Sequence, residues 1–359
     1  MKTLARNTWH QERFIWGEVG MSIKTVEIID THTGKIFVDR QNRLEYLTVG
    51  DYGKSDNIKA NFLGLTKEIR GVEHHAVDLG EKWVATISTQ RGCMMKCAFC
   101  DCPAYGFYGN VSAIEMGYEI QTMLRYFEPV VKRTKRFNVH FARMGEPTFN
   151  RGVIEFAACS LREIVNNYIE ADVIHPVVST MLPRNNRDLH DFLLRWCHVK
   201  NDNYNGEAGL QFSINSTDDG QRARQMRGMS LSLIEIATLA DFLPMPVGRK
   251  YTLNFAVTKD TILDANVLDS MFDKKKWIVK ITPIHETKAA VKNGFDVGTT
   301  YTEYDVYRKF EDPLLALGWD VIVFVPSKEE DNDRITCGNA LIAYQSTRQN
   351  EGQHYGADD

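Results

Sequence analysis

Apolar and polar positions along the chain switch repeatedly between a period of two and a period near 3.6. Trp83-Val84-Ala85-Thr86-Ile87-Ser88 reads as a strand, and Phe137, Val139 and Phe141 alternate as a second. Between them, Met116, Ile120, Leu124 and Phe127 recur at helical spacing, behind a capping box formed by Ser112 and Glu115. Further strands are expected over 173–180, from Gly209 to Ile214, from Thr252 to Val257 and from Trp277 to Pro283. Helices are expected over 153–168, 187–196 and 263–272, with helical segments reaching to 242. Six β–α units in a row predict an α/β fold with a parallel sheet, which right-handed crossovers curl into a partial (β/α)6 barrel. Sites on such sheets lie at the C-terminal strand ends.

The flanks read differently. Thr25-Val26-Glu27-Ile28-Ile29 and Ile36-Phe37-Val38 are short β-like runs around the turn-prone Thr31 to Lys35. Residues 1–80 are therefore expected to form a small β-containing N-terminal extension whose function the sequence does not show. A helix over 303–317 and the strand Val321 to Val325 follow the sixth unit. The expected organisation is an extension over 1–80, a core over 81–345, and a polar tail over 346–359, rich in Gln, Gly and Asp and expected to be disordered.

Composition narrows the classes. Of 359 residues, 43% are hydrophobic and 25% charged, as in soluble globular proteins. No run approaches the ~20 apolar residues of a membrane span, so no membrane partner is expected. Residues 1–20 have no apolar core and do not read as a secretory signal. Seven cysteines, three of them in one loop, argue against a disulfide framework and for a reducing, cytoplasmic setting. A net charge of -4 gives no global attraction to nucleic acid, and the basic runs Lys132 to Arg136 and Lys274 to Lys276 read as solvated faces.

The chemistry concentrates in Cys93-Met94-Met95-Lys96-Cys97-Ala98-Phe99-Cys100, directly after the first strand of the repeat. Three thiolates on one loop can face a common point, and soft sulfur ligands suit iron–sulfur clusters. A 4Fe-4S cube held by Cys93, Cys97 and Cys100 keeps one iron free for a substrate or cofactor, whereas zinc sites bring a fourth Cys or His at recognisable spacing. Met144-Gly145-Glu146-Pro147 closes the second strand. Gly145 lets a backbone approach a ligand, and the Glu146 carboxylate can accept hydrogen bonds from an ammonium group. Cys159 and Cys197, on expected helices, read as buried small hydrophobes.

CxxxCxxC with an aromatic residue before the last cysteine resembles the signature of the radical S-adenosylmethionine (SAM) superfamily. Ser88 to Cys93, Arg143 to Asn150, Phe212-Ser213-Ile214-Asn215 and the late Cys337-Gly338 resemble, in order and spacing over residues 83–345, the RlmN/Cfr-type adenosine methyltransferases of RNA. The resemblance implies a radical SAM barrel with two cofactors, a 4Fe-4S cluster and SAM, whose reductive cleavage yields methionine and a 5'-deoxyadenosyl radical. It implies that Glu146 contacts the SAM amino group and that Ser179, Ser213 and Asn215 line the rest of the pocket. His285 stands where the family has an Asn, and Asn215 where it has a His. Cys337 matches the cysteine that carries a methyl group to the adenine. The family's second cysteine, which resolves the protein–RNA bond, is replaced by Thr86.

A hydroxyl cannot replace a thiolate in exchange chemistry at sulfur. Three routes stay open: Cys102 supplies the thiol, Cys337 is a remnant in an enzyme with another reaction, or the substrate leaves differently. The expected function is a radical SAM enzyme modifying a base in RNA or DNA, with an electron donor such as flavodoxin or ferredoxin as its second partner. The alternatives are radical hydrogen abstraction or rearrangement on a modified nucleotide or other small substrate, and a non-catalytic metal-cluster protein that binds nucleic acid.

Overall fold

The computed structural model describes residues 26–49 and 79–345, apart from positions 32, 299, 301, 302 and 327. In chain order the strands are β1 (Val26–Asp30), β2 (Lys35–Asp39), β3 (Leu44–Val49), β4 (Trp83–Ile87), β5 (Gln90–Gly92), β6 (Phe107–Asn110), β7 (Arg133–Phe141), β8 (Glu170–Thr180), β9 (Gly209–Ser213), β10 (Tyr251–Val257), β11 (Trp277–Pro283) and β12 (Val321–Val323). Ten of them form one sheet in the order β1-β2-β3-β4-β7-β8-β9-β10-β11-β12. From β4 onward every neighbouring pair is parallel. The N-terminal strands continue the same sheet as an antiparallel meander, β3 pairing with β4 through Leu47 and Thr86. The tail over 346–359 and the stretch before Val26 lie outside the described residues.

Strand alternation explains which face is covered. Trp83, Ala85 and Ile87 of β4, Phe137, Val139 and Phe141 of β7, Leu210 and Phe212 of β9, and Leu253 and Phe255 of β10 share one buried core. The helices meet that same core through Met116 and Ile120 of Ala113–Phe127, Phe192 and Trp196 of Leu189–His198, Ile236 of Leu233–Phe242, Leu268 of Ala265–Met271, and Phe310 of Asp305–Ala316. Helices on one face, with the parallel strands in sequence order, make a singly wound sheet of barrel type rather than a doubly wound one. β4 and β12, the ends of its parallel part, are not neighbours, so the barrel is open. The opposite face carries Thr86, His140, Ser179, Gln211, Ser213, Asn254 and Lys280, a polar lining.

Several local expectations hold at the residue level. Ser112 caps Ala113–Phe127 by accepting from the Glu115 amide, and its own amide donates in return to the Glu115 carboxylate. The basic runs are held within the chain: Arg133 pairs with Asp172, Lys135 with Glu81 and Lys274 with Asp269. Lys276 donates to the carbonyls of Ala240 and Asp241 at the end of Leu233–Phe242, satisfying groups that a helix terminus leaves open. The helix expected over 153–168 is interrupted by a π-helical turn, Phe156–Ser160. Its displaced carbonyls accept from the Tyr204 hydroxyl at Ala157 (2.7 Å) and the Asn203 amide at Ala158 (3.1 Å). That turn brings Cys159 to the surface, against expectation, whereas Cys197 is buried and receives the Tyr251 hydroxyl at 3.2 Å.

Candidate functional site

The loop after β4 doubles back through the β5–β6 hairpin, and the three cysteines lie in its bend. The Cys93 amide donates to Gly106 O (3.1 Å), the Ala98 amide to Gln225 O (2.8 Å) and the Asp101 amide to Gly338 O (2.9 Å). The loop is thus closed by its own hairpin and anchored at two further points by distant parts of the chain. Cys97 lies against Met181, their sulfurs 3.1 Å apart, in an apolar pocket with Met95 and Met226. Cys93 and Cys100 pack against a second cluster containing Cys102 and Met144.

The thiols share one electrostatic neighbourhood. Burial, then Cys102 and Glu146, raises the Cys93 thiol well above the usual range, and burial, then Cys93, Glu146 and Cys337, does the same to Cys97. At Cys100 a hydrogen bond from Cys102 works downward but is outweighed by burial and by Cys97 and Cys93. Cys337 is raised to about 11 by burial and by Cys102, against the opposing charges of Arg143 and Lys280. Its side chain is accessible to water. Five cysteines separated by up to 244 positions therefore meet at one end of the sheet, as 337 minus 93 counts.

Two buried polar centres hold that arrangement. Arg143 and Glu45 form an ion pair with side chains 1% and 0% exposed. Arg143 also donates to the carbonyls of Arg334 (2.8 Å), Thr336 (3.2 Å) and Asn339 (3.3 Å), while the Glu45 carboxylate accepts from the amides of Leu341 (3.0 Å) and Ile342 (2.7 Å). The backbone on both sides of Cys337 is thereby fixed to β3 and to the end of β7. Asp331 forms the second centre. It accepts from the Glu286 amide (2.9 Å), the Asn339 amide group (3.2 Å) and the Thr336 hydroxyl, and meets His285 Nδ1 at 3.0 Å. Gly338, at φ +86°, passes so close to Cys100 that a Cβ there would stand 3.7 Å from its sulfur.

The other expected site residues stand at strand ends. Gly145 has φ +107°, and a Cβ there would lie 2.6 Å from the Gln90 side chain and 2.7 Å from Thr89 Oγ1, so the turn requires glycine. Glu146 is 3% exposed. Its oxygens accept from the Thr148 amide (3.2 Å), the Thr148 hydroxyl (2.8 Å) and the Met181 amide (3.0 Å), which ties the end of β7 to that of β8. Burial raises its pKa against those bonds. Ser179 accepts from Gln211 at 3.2 Å across the lining face, and Ser213 lies on that face beside Asn254 in register. Asn215 is buried, with φ +63°, and accepts the Ala256 amide at 3.1 Å. Cys102 is buried, its thiol 3.6 Å from Arg143 O, while the Cys337 thiol is 3.8 Å from the adjacent Ala142 O. Sequence reasoning missed Glu45, Asp331, Lys280 and Asn254. Among the described residues the buried Asn254 Oδ1 has no hydrogen-bond partner, and its place on the lining face between Ser213 and Lys280 marks a position for a polar ligand group.

Three soft thiolate donors from one CxxxCxxC loop suit an iron–sulfur cube, which binds each cysteine through a different iron. Among the described residues no group of three or more His, Cys, Asp or Glu closes on one metal position.

No family model matches the chain. Over 84 residues it is 36% identical to the dual-specificity RNA methyltransferase RlmN of Wolinella succinogenes, covering 23% of this chain and 23% of that protein. Over 339 residues it is 24% identical to a probable dual-specificity RNA methyltransferase RlmN of Petrotoga mobilis, covering 87% of this chain and 89% of that one. Its fold is similar to the crystal structure of a radical SAM methyltransferase from Sphaerobacter thermophilus, with a TM-score of 0.62 at 17% identity over 89% of this chain and 82% of the other. The chain thus carries a three-cysteine loop at the first parallel strand end of a fold like that of a radical SAM methyltransferase, with distant sequence likeness to RlmN proteins along most of its length.

Proposed function

We propose that the chain is a radical SAM enzyme that modifies a base in RNA, with Cys93, Cys97 and Cys100 holding a 4Fe-4S cluster and SAM seated over the ends of β7 to β11. When bound, that pair of cofactors supplies a 5'-deoxyadenosyl radical on reduction. The observation that carries the reading is the meeting of the cysteine loop with the Cys337 loop, joined by the Asp101–Gly338 backbone bond. The chain's own residues position the groups: Met95, Met181 and Met226 pack against Cys97, and Asn254, Ser213 and Ser179 offer polar contacts along the lining face. The end of β11 contributes His285, oriented by Asp331. Glu146 stands at the amino end of SAM. Glu146→Gln is expected to retain the cluster while weakening SAM binding by ~1.5–3 kcal/mol, the scale of a hydrogen bond to a charged group. Unchanged affinity in a titration would confine Glu146 to fastening Thr148 and Met181.

Thr86 lies on the lining face of β4 and cannot act as a thiolate. Cys102 and Cys337 approach adjacent carbonyls of one strand end, which supports Cys102 as the available thiol should methyl transfer occur. Our reading is that the family's two-cysteine turnover does not run here, because Thr86 stands in place of the second cysteine and the Cys102 thiol is buried. SAM labelled in its methyl group, given with RNA and a reductant, is expected to leave no label on adenine in catalytic amount, while mass spectrometry of the RNA shows a mass change. Catalytic labelling of adenine that disappears in both Cys337→Ala and Cys102→Ala would show instead that Cys102 has taken over.

A further inference from the structure

The β5–β6 hairpin is the short antiparallel unit inserted between the first parallel strand and its helix, and it contains the cysteine loop. It is rigidly placed: a Cβ on Gly92 would fall 1.8 Å from Gly106 O, so the two strands meet at backbone contact. Despite that rigidity β6 buries little. Phe107 is 43% exposed and Tyr108 52% exposed. The Arg43 guanidinium lies over the Tyr108 ring at 3.8 Å, and the Tyr105 ring meets Tyr108 edge to face at 5.5 Å. Arg40 acts on the Tyr105 hydroxyl together with Arg43, although it also bonds Glu27 and Gln345. Tyr105 in turn packs, with Cys93 and Cys100, on the cluster that contains Cys102.

We infer that this aromatic and cationic patch is the platform for the single-stranded RNA flanking the target base. The inference rests on the nucleic-acid reading above. Exposed rings on a ribbon whose strands meet at backbone contact cost little ordering when a base stacks on them. Phe107 takes a base, and Arg43, whose guanidinium lies over Tyr108, faces the phosphates. Stacking of this kind tolerates any sequence, and the positive charge complements an RNA backbone although the whole chain is net negative, at -4. The hairpin's bond to Cys93 makes the platform continuous with the site, so a strand lying on it delivers its next unstacked base to the cysteine loop.

The test uses the full chain, reconstituted anaerobically, and a fluorescent ~12-nucleotide single-stranded RNA, within the site sizes such grooves span. Phe107→Ala is expected to weaken binding about tenfold, the lower part of the range for losing one stacked base. Phe107→Tyr should bind as the native chain does. Arg43→Gln should flatten the logarithmic salt dependence by about 0.7, the value of one phosphate contact on a single strand. Binding of Phe107→Ala within twofold of native would overturn the platform while leaving the nucleic-acid reading intact. Native protein that makes 5'-deoxyadenosine but binds no RNA would overturn both, and tighter binding of the same sequence as DNA would overturn the assignment to RNA.

Discussion

Arg143→Leu should lower the unfolding free energy by about 3–5 kcal/mol, because it leaves the fully buried Glu45 carboxylate without its cation. The loss has further parts on the same side. Three carbonyls around Cys337 lose a donor, and each unmet buried group carries its own desolvation cost. Urea unfolding measures the change. The pair couples β3, the end of β7 and the Cys337 loop, so Glu45→Gln combined with Arg143→Leu should recover part of the loss, since the uncompensated charge is gone. An Arg143→Leu midpoint equal to that of the native protein would mean that water reaches Glu45 and that the Cys337 loop is held by other contacts.

Cys97→Ala should abolish the cluster. Anaerobically reconstituted native protein is expected to hold about four irons and four sulfides per chain, as a cube requires, and the variant to hold neither in stoichiometric amount. The fold should survive, because Cys97 sits in a pocket of methionine side chains that adapt to small losses of volume. Stoichiometric zinc without sulfide in the native protein would instead favour a non-catalytic metal protein.

The parallel repeat was legible because each strand alternates an apolar residue facing the helices with a polar one facing the lining, as in Phe137, Val139 and Phe141 or in Trp277 to Pro283. Strand β3 escaped because both its faces are covered. Leu44 to Thr48 are all buried, and Glu45 among them looks like a surface residue until its partner 98 positions away is known. The β5–β6 hairpin escaped for a different reason. Its strands are short and flank a long loop, whereas the sequence signals of hairpins come from turns of a few residues. The cysteine loop, Gly145 and the strand ends at Ser179 and Ser213 were readable as positions from the pattern, whereas the roles of Ser179 and Ser213 came from the family resemblance. The Arg143–Glu45 pair and the Asp331 centre were not, since hydrogen bonds between residues far apart in sequence leave no periodic trace. These centres decide where Cys337 sits, so the site's rear support came only from the structure.

The central claim is that the CxxxCxxC loop of this chain generates radical chemistry from SAM. Its most direct measurement is chromatography of SAM incubated anaerobically with the reconstituted protein and dithionite. The account predicts 5'-deoxyadenosine and methionine in equal amounts from the native protein and none from Cys97→Ala. Intact SAM after incubation with native protein that carries its full complement of iron and sulfide would contradict it.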